Sequence, residues 1–153
     1  MPKQPKPQDA ATPTELRQIA ALPYRRRNGL LEICLVTTRE TRRWTLPKGW
    51  PMKRLTDAEA ARLEAEQEAG VGGRIGKKPI GSFRYFKRMN ERFELITVDV
   101  YPLAVSRYLD CWKEQAARDV TWFPIASAAG LLDEPEAQSL LLKIKDKGAL
   151  LDP

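Results

Sequence analysis

An acidic helix with a recognisable beginning and end lies near the middle of the chain and constrains the fold more than any other segment. Thr56 precedes it, and Glu59, three residues later, completes the pattern of a capping box. Gly70 stands where helices commonly end in a left-handed residue. The pattern therefore predicts a helix that runs to about Ala69. Strand patterns on both sides of it favour a domain in which helices pack on a sheet.

The rest of the chain is dominated by strand patterns. Ile96, Val98 and Val100, for example, share one face of an alternating segment. The Asn28-Gly29 dipeptide is typical of a two-residue hairpin turn. The segments predicted as strands are 16–27, 30–38, 44–47, 74–88, 92–105 and 119–125. Two short helices are predicted after the last strand, at 126–132 and 136–147.

The length and composition are those of one ordinary globular domain. The chain has 153 residues, enough for a single core, and is 42% hydrophobic and 30% charged. Residues 1–14 are rich in proline and polar residues and are predicted to be a disordered lead-in. We expect a single domain over 15–148 and a C-terminal tail over 149–153.

Several classes of protein are excluded by what the sequence lacks. It contains no histidine, which excludes Ser-His or Cys-His nucleophile systems and histidine-ligated zinc. Cys34 and Cys111 are far apart and without metal-ligand spacing, so a reducing cytoplasm is the expected location. No apolar run approaches the roughly 18 residues that a membrane span needs. We therefore expect a cytoplasmic protein without a membrane partner.

The positive charge of the chain favours anionic partners. The net charge is +6 and the sequence pI is about 9.5. Nucleotides, polyphosphates and nucleic acid all fit this charge, and so does a basic surface that only confers solubility. Arginine and lysine concentrate in the stretches 25–27, 39–54 and 84–92. Arginine side chains are well shaped for phosphate oxygens.

The acidic helix can present a metal site. Residues three and four apart share a helix face, so Glu64, Gln67 and Glu68 project together, and the small Ala60 leaves space beside them. Two carboxylates at this spacing can hold a hard divalent cation, and we expect Glu68 to be an exposed ligand. The alternative is a solvated acidic face formed by Glu64, Glu66 and Glu68.

The segment from Gly49 to Val71, GWPMKRLTDAEAARLEAEQEAGV, resembles the Nudix box, G-x5-E-x7-R-E-U-x-E-E-x-G-U, in which U is a bulky apolar residue. The register fits without a gap. Gly49 matches the first glycine, Glu64 the glutamate after the arginine, Glu68 the second glutamate of the pair, and Gly70 the closing glycine. The box is long and specific.

The resemblance extends over roughly residues 16 to 145 and implies both a fold and an activity. The fold is an α/β Nudix-type α/β/α sandwich with a mixed sheet. The activity is hydrolysis of a nucleoside-diphosphate-linked or polyphosphate substrate with Mg²⁺ or Mn²⁺ as cofactor. "RRWTLPKG", "EAGVGGRIGKKPIGSF" and "DVTWFPI" favour the branch that acts on diphosphoinositol polyphosphates and diadenosine polyphosphates. A small anionic substrate is favoured over nucleic acid, and the oligomeric state stays open.

The resemblance also implies roles for particular residues. Glu64 and Glu68 would be the catalytic metal ligands, with Gln67 and Gly49 completing the metal site. The general base stays open, with Glu91 and Glu94 as candidates from a later loop. Trp50 and Tyr85 would either stack on a base or serve in packing. With the topology that the resemblance implies, parts of all three basic stretches would border the cleft over the helix. The residues expected to bind substrate phosphates are Arg39, Arg43, Lys48, Arg84, Lys87 and Arg88.

The box departs from the family pattern at four positions. Leu55 and Leu63 replace a glutamate and an arginine that pair in the family, and we expect the two leucines to touch, because replacing both members of a buried ion pair can be neutral. Ala65 replaces a bulky apolar residue. Gln67 replaces a glutamate, which removes a ligand charge and predicts weaker metal binding or fewer ions. We interpret the segment as a catalytic site with altered metal demand. The alternatives are a non-catalytic Nudix-fold module that binds nucleotides or polyphosphates, and an RNA-end binder.

Overall fold

The computed structural model describes residues 16–148 and Leu151. The predicted lead-in, residues 1–14, lies outside the described residues. Of the predicted tail, 149–153, only Leu151 is described. It is buried, and its carbonyl oxygen accepts a hydrogen bond of 3.2 Å from the hydroxyl of Tyr24.

Strands and helices appear close to the predicted positions. The strands are β1 (Leu16–Arg27), β2 (Leu30–Thr37), β3 (Trp44–Thr45), β4 (Lys48–Gly49), β5 (Val71–Ile75), β6 (Gly81–Met89), β7 (Arg92–Tyr108) and β8 (Val120–Pro124). The helices are α1 (Asp57–Ala69), α2 (Ile125–Leu131) and α3 (Pro135–Asp146). In the described part of the chain, no helix is long and apolar enough to cross a membrane.

One predicted strand is wrong in its extent. The segment 74–88 is divided between β5 and β6, and residues 76–80 connect the two. Pro79 in this connection has no N–H to give to a strand ladder, which explains the interruption. The two-residue strand β4 was not predicted from the sequence. It pairs with β1 and brings Lys48 and Gly49 to the sheet.

Eight strands form one mixed sheet. Its main order is β3-β2-β1-β7-β5, while β4 pairs with β1, β6 with β7 and β8 with β2. β1 and β7 run parallel, and the other pairs are antiparallel. β1 pairs with β2 and β4 along one edge and with β7 along the other, so both of its edges are occupied.

Helices cover both faces of this sheet. Because side chains alternate along a strand, Ile19 and Ala21 of β1 belong to the hydrophobic cluster under α1. Ala20 and Leu22 belong to the second cluster, which α2 and α3 close. The predicted α/β/α sandwich with a mixed sheet is therefore confirmed.

The predicted turns and helix ends are also confirmed. The Thr56 hydroxyl accepts a hydrogen bond of 3.1 Å from the backbone N–H of Glu59 at the start of α1. Gly70 ends the helix in the left-handed conformation, with φ of 68°. Asn28 and Gly29 have φ of 51° and 78°, as a two-residue turn with positive φ at both positions requires.

Gly70→Ala should lower the free energy of unfolding by about 2 kcal/mol. The left-handed backbone disfavours any side chain with a Cβ, and a Cβ at this position would overlap the indole ring of Trp112. The matched control is Gly130→Ala in α2, where a Cβ meets nothing within 4 Å. Urea denaturation measures both variants, and equal stability of the two would contradict this account of the helix end.

Candidate active site

Glu64 and Glu68 lie at the buried face of α1. Their exposed fractions are only 9% and 4%. The expectation of an exposed Glu68 is therefore wrong, and so is the alternative of a solvated acidic face. The reason lies in the small residues of the helix: Ala61 and Ala65 are fully buried against the sheet, which brings the backbone of α1 close to the neighbouring strands.

The two glutamates form a carboxyl pair. Their side chains lie close enough to share one proton in a hydrogen bond. Burial raises the pKa of both groups, and the pKa of Glu68 reaches about 8. Two carboxyl groups that share a proton in a poorly solvated place offer oxygen ligands to a divalent cation, which would displace the proton.

Gly49 allows the backbone of β4 to lie directly against this pair. A Cβ at this position would overlap the Oε2 atom of Glu64. The neighbouring N–H of Lys48 points to Oε1 of Glu68, at a distance of 3.4 Å. Any larger residue here would have to displace the carboxyl group of Glu64, which glycine leaves in place.

The carboxyl pair lies at the floor of a cleft of about 1580 Å³, which Glu68 and Gly49 help to line. The cleft opens between the β6–β7 hairpin and the loop that precedes β3. All the residues predicted to bind phosphates line it: Arg39, Arg43, Lys48, Arg84, Lys87 and Arg88. The structure therefore brings together cations from two distant stretches of the sequence, 39–54 and 84–92, above the buried acids.

Solved structures with this architecture identify the fold. An Ap4A hydrolase from C. elegans, in a binary complex, is 20% identical, covers 88% of this chain and 98% of its own, and has a TM-score of 0.66. The chain has the Nudix fold. The NUDIX domain of Shewanella oneidensis NrtR, in complex with ADP ribose, is 14% identical over 93% of this chain and 92% of its own, with a TM-score of 0.68. A NUDIX hydrolase from Nitrosomonas europaea is 13% identical over 88% and 90%, with a TM-score of 0.63.

These likenesses are structural. No protein-family model matches the sequence, and the comparison with curated proteins found no match. The predicted fold is thus confirmed through the arrangement of strands and helices. Within that fold, the segment that resembles the Nudix box occupies the loop, β4 and α1, and Glu68 lines the cleft.

Some of the cations in the cleft already have carboxylate partners. Arg43 pairs with Asp133 at 3.0 Å, and Arg84 pairs with Glu136 at 2.7 Å. Both pairs are exposed, so an anionic substrate can compete for these guanidinium groups at small cost. Lys48 lies deeper, beside Glu68, and burial lowers its pKa against the opposing effect of that carboxylate.

Two aromatic residues line the cleft near Lys48. The ammonium group of Lys48 lies 5.1 Å from the ring centroid of Tyr85, whose hydroxyl donates a hydrogen bond of 2.6 Å to Gln18. Trp50 is partly buried against the hydrophobic cluster under α2 and α3. Both rings are held by packing and still present an edge or face to the cleft.

The basic stretch 25–27 does not border the cleft, contrary to expectation. Arg25 instead lies over the ring of Trp122, with 4.1 Å between its guanidinium carbon and the ring centroid, and pairs with Glu32 at 2.7 Å. Its charge is used in a stacked surface contact on another part of the sheet.

The residues suggested as a general base from a later loop are not brought to the carboxyl pair. Glu91 lies in the exposed turn between β6 and β7, and Glu94 pairs with Arg92 at 2.8 Å. Neither lines the cleft described above. The hairpin carries them to its tip, away from its root at the sheet.

The replaced positions of the box differ in their exposure. Leu55 is exposed over 36% of its surface, so the assumption that a buried ion pair was replaced is wrong for this residue. Its contact with Leu63 stays a prediction. Gln67 is partly buried, and its backbone carbonyl accepts a hydrogen bond of 2.9 Å from the N–H of Glu114. The role of its side chain as a ligand stays a prediction.

The sequence analysis did not identify two further residues near the carboxyl pair, Glu114 and Arg118. Both come from the segment 109–119 between β7 and β8. A guanidinium nitrogen of Arg118 lies 3.7 Å from Glu68 and 3.0 Å from Glu114. The charge of Glu114 also contributes to the raised pKa of Glu64. Their spacing of four residues is typical of an ion pair on one turn of helix, and this was the signal available in the sequence.

The donor set fits Mg²⁺ supplied together with phosphate. Among residues 16–148 and Leu151, no group of three or more Asp, Glu, Cys or His side chains is arranged to hold a metal ion. Mg²⁺ does not need such a group, because it is commonly held by one or two carboxylates, water and substrate phosphates. Glu64 and Glu68 supply the two carboxylates at the floor of a cationic cleft.

The metal-free protein should lose stability as the pH rises. The pKa of Glu68 is about 8 in the folded state against an ordinary value of 4.5, so the folded state holds a proton that the unfolded chain releases. This stabilising contribution is complete below pH 4.5 and is lost as the pH passes through 8. Each pKa unit corresponds to about 1.4 kcal/mol, or a few degrees in Tm.

Thermal unfolding in chelator at pH 6 and pH 8.5 measures this effect. Glu68→Gln should show a smaller difference in Tm between the two pH values than the unchanged protein. Glu66→Gln is the matched control, because Glu66 lies on the same helix but pairs at the surface with Arg62 and Arg107. Identical pH dependence in the protein with and without Glu68 would contradict the proposed shared proton.

Proposed function

We propose that this chain is a pyrophosphohydrolase of the Nudix type that uses Mg²⁺ or Mn²⁺. Its substrate would be a nucleoside-diphosphate-linked or polyphosphate compound, with diphosphoinositol polyphosphates and dinucleoside polyphosphates favoured. The observation that carries the proposal is the buried Glu64–Glu68 pair under Gly49, at the floor of a cleft lined by cations. The two carboxyl groups are thus buried at the floor, and the arginine and lysine side chains line the cleft above them.

The residues of the floor and the walls would have different tasks. Glu64 and Glu68 would hold the metal, with Gly49 and Gln67 as further oxygen donors. When bound, the metal supplies charge neutralisation at the phosphates and lowers the pKa of an attacking water. Lys48, half-buried beside Glu68, would contact the phosphate closest to the floor.

The number of cations in the walls supports a substrate with several phosphates. A single diphosphate has few charges to share among six arginine and lysine side chains. A longer polyanion can displace Asp133 and Glu136 from their exposed arginine partners and bind both walls. The names of two similar structures, an Ap4A hydrolase and a domain in complex with ADP ribose, also agree with a phosphoanhydride substrate.

The proposal is tested with a panel of dinucleoside polyphosphates, diphosphoinositol polyphosphates and ADP-ribose, each incubated with Mg²⁺ or Mn²⁺. Chromatography and ³¹P NMR identify the products. Glu68→Gln should lower turnover by at least about a hundredfold, because it removes a metal ligand. Glu66→Gln serves as the surface control and should retain activity.

Two results would contradict the proposal. One is full turnover by the Glu68→Gln variant. The other is tight binding of a polyphosphate without release of phosphate under either metal, which would assign a non-catalytic binding module instead.

A second candidate function is binding of single-stranded RNA, and the β6–β7 hairpin favours it. Phe86 and Phe93 are exposed over 69% and 64% of their surfaces. Both line the same cleft, beside Arg88, which is the neighbour of Phe93 across the strand pair. Exposed aromatic rings among cations are typical of surfaces that bind unpaired bases and their phosphates.

Under this second candidate, Phe86→Ser should weaken the binding of a short single-stranded RNA about tenfold, since one stacked base contributes about 1–3 kcal/mol. Fluorescence anisotropy at constant salt measures the affinity. Leu142→Ser is the control, because Leu142 is an exposed apolar residue of α3 that does not line the cleft. Equal affinities of the two variants would rule the hairpin out as a base-binding surface.

A further inference from the structure

Arg118 is held in place at two points that do not involve the cleft. One terminal nitrogen donates a hydrogen bond of 3.0 Å to the backbone carbonyl of Thr37, at the end of β2. Its Nε donates a hydrogen bond of 3.0 Å to Glu114. The hydroxyl of Thr37 in turn accepts a hydrogen bond of 2.9 Å from the N–H of Asp119, which fixes the backbone beside Arg118.

The remaining side of the guanidinium group faces Glu68. Nη2 of Arg118 lies 3.7 Å from Oε2 of Glu68, and the side chains are exposed over only 12% and 6% of their surfaces. The distance is too long for a hydrogen bond but short for two opposite charges. Because water is largely excluded, the attraction is stronger than between surface groups. An arginine also keeps its proton, so this charge is permanent.

Arg118 therefore supplies a positive charge where the box carboxylates would receive a metal. The position of Gln67 holds a neutral side chain, which leaves Glu64 and Glu68 as the charged ligands of the helix. The attraction of Arg118 lowers the pKa of Glu68 against the larger effect of burial. When Glu64 and Glu68 share one proton, the pair keeps one negative charge, which Arg118 compensates. A divalent cation that approaches Glu68 is therefore repelled by the positive charge of Arg118, which lies beside the same carboxylate.

We propose that Arg118 is a tethered counter-ion of Glu68, which positions this carboxylate in the metal-free protein and weakens its affinity for divalent cations until an anionic substrate is bound. The inference rests on the proposed use of Glu64 and Glu68 as metal ligands. Arg118 also lines the cleft, so phosphates of a substrate add negative charge beside it and offset its repulsion of the metal. Metal and polyphosphate would then bind together.

Binding of Mn²⁺ to the substrate-free protein tests this inference, with free Mn²⁺ measured by electron paramagnetic resonance. Arg118→Gln removes the charge but keeps an amide nitrogen at the position from which Nε of Arg118 donates to Glu114. It should bind Mn²⁺ about tenfold more tightly than the unchanged protein. Arg118→Lys keeps the charge and should remain close to the unchanged protein. A residue with only a structural role would give the opposite result, because its loss would loosen the site and weaken binding.

Further measurements locate the effect. The gain should disappear when Glu68→Gln is combined with Arg118→Gln, and a gain that persists in the double variant would overturn the proposal. Unchanged or weaker Mn²⁺ binding by a folded Arg118→Gln variant would also overturn it. If that variant does not fold, the Nε–H NMR signal of Arg118 in the unchanged protein is followed during a Mg²⁺ titration. A shift of the signal supports the inference, and its constancy overturns it.

Failure of this inference and failure of the proposed function give different results. Tighter Mn²⁺ binding by Arg118→Gln, together with no turnover of any substrate in the panel, would support the counter-ion role and reject the hydrolase. Turnover that depends on Glu68, together with unaltered Mn²⁺ binding by Arg118→Gln, would support the hydrolase and reject the counter-ion.

Discussion

The close approach of α1 to the sheet determines the properties of the candidate site. Ala60, Ala61 and Ala65 are fully buried at this contact, and their small side chains let two glutamates of the same helix lie beneath the backbone of β4. Burial of two carboxyl groups is unfavourable unless a proton or a cation accompanies them. The shared proton, the glycine at the point of contact and the nearby cations all follow from this single constraint.

Features that depend on neighbours in sequence were predictable. The caps of α1, the Asn28-Gly29 turn and the alternation of Ile96, Val98 and Val100 are local, because a few residues determine each of them. The depth of Glu68 was not predictable in this way. Spacing placed it on one face with Glu64, but the exposure of that face depends on how near β4 lies, and β4 gave no signal of its own.

Long-range contacts explain the other errors. The six arginine and lysine residues that were predicted from the density of charge do line one cleft. The loop before β3, strand β4 and the β6–β7 hairpin carry them there. Arg25 belongs to an equally dense run, but its side chain packs on Trp122 at another surface. Trp122 lies almost a hundred positions later in the sequence, so this contact could not be predicted. Arg118 was missed for the same reason. Its importance depends on Thr37 and Glu68, which only the folded sheet brings near it.

The substitutions in the box have different consequences according to depth. Leu55 lies at the surface, where loss of a charge costs little, whereas the carboxyl pair at the floor is retained. Gln67 reduces the negative charge of the helix by one, and Arg118 adds a fixed positive charge beside Glu68. If Glu64 and Glu68 hold a metal as proposed, both changes would weaken the attraction for a free cation without removing a carboxylate of the pair. Such a site would need the phosphates of its ligand to complete the binding of the metal, which would join the floor of the cleft to its cationic walls.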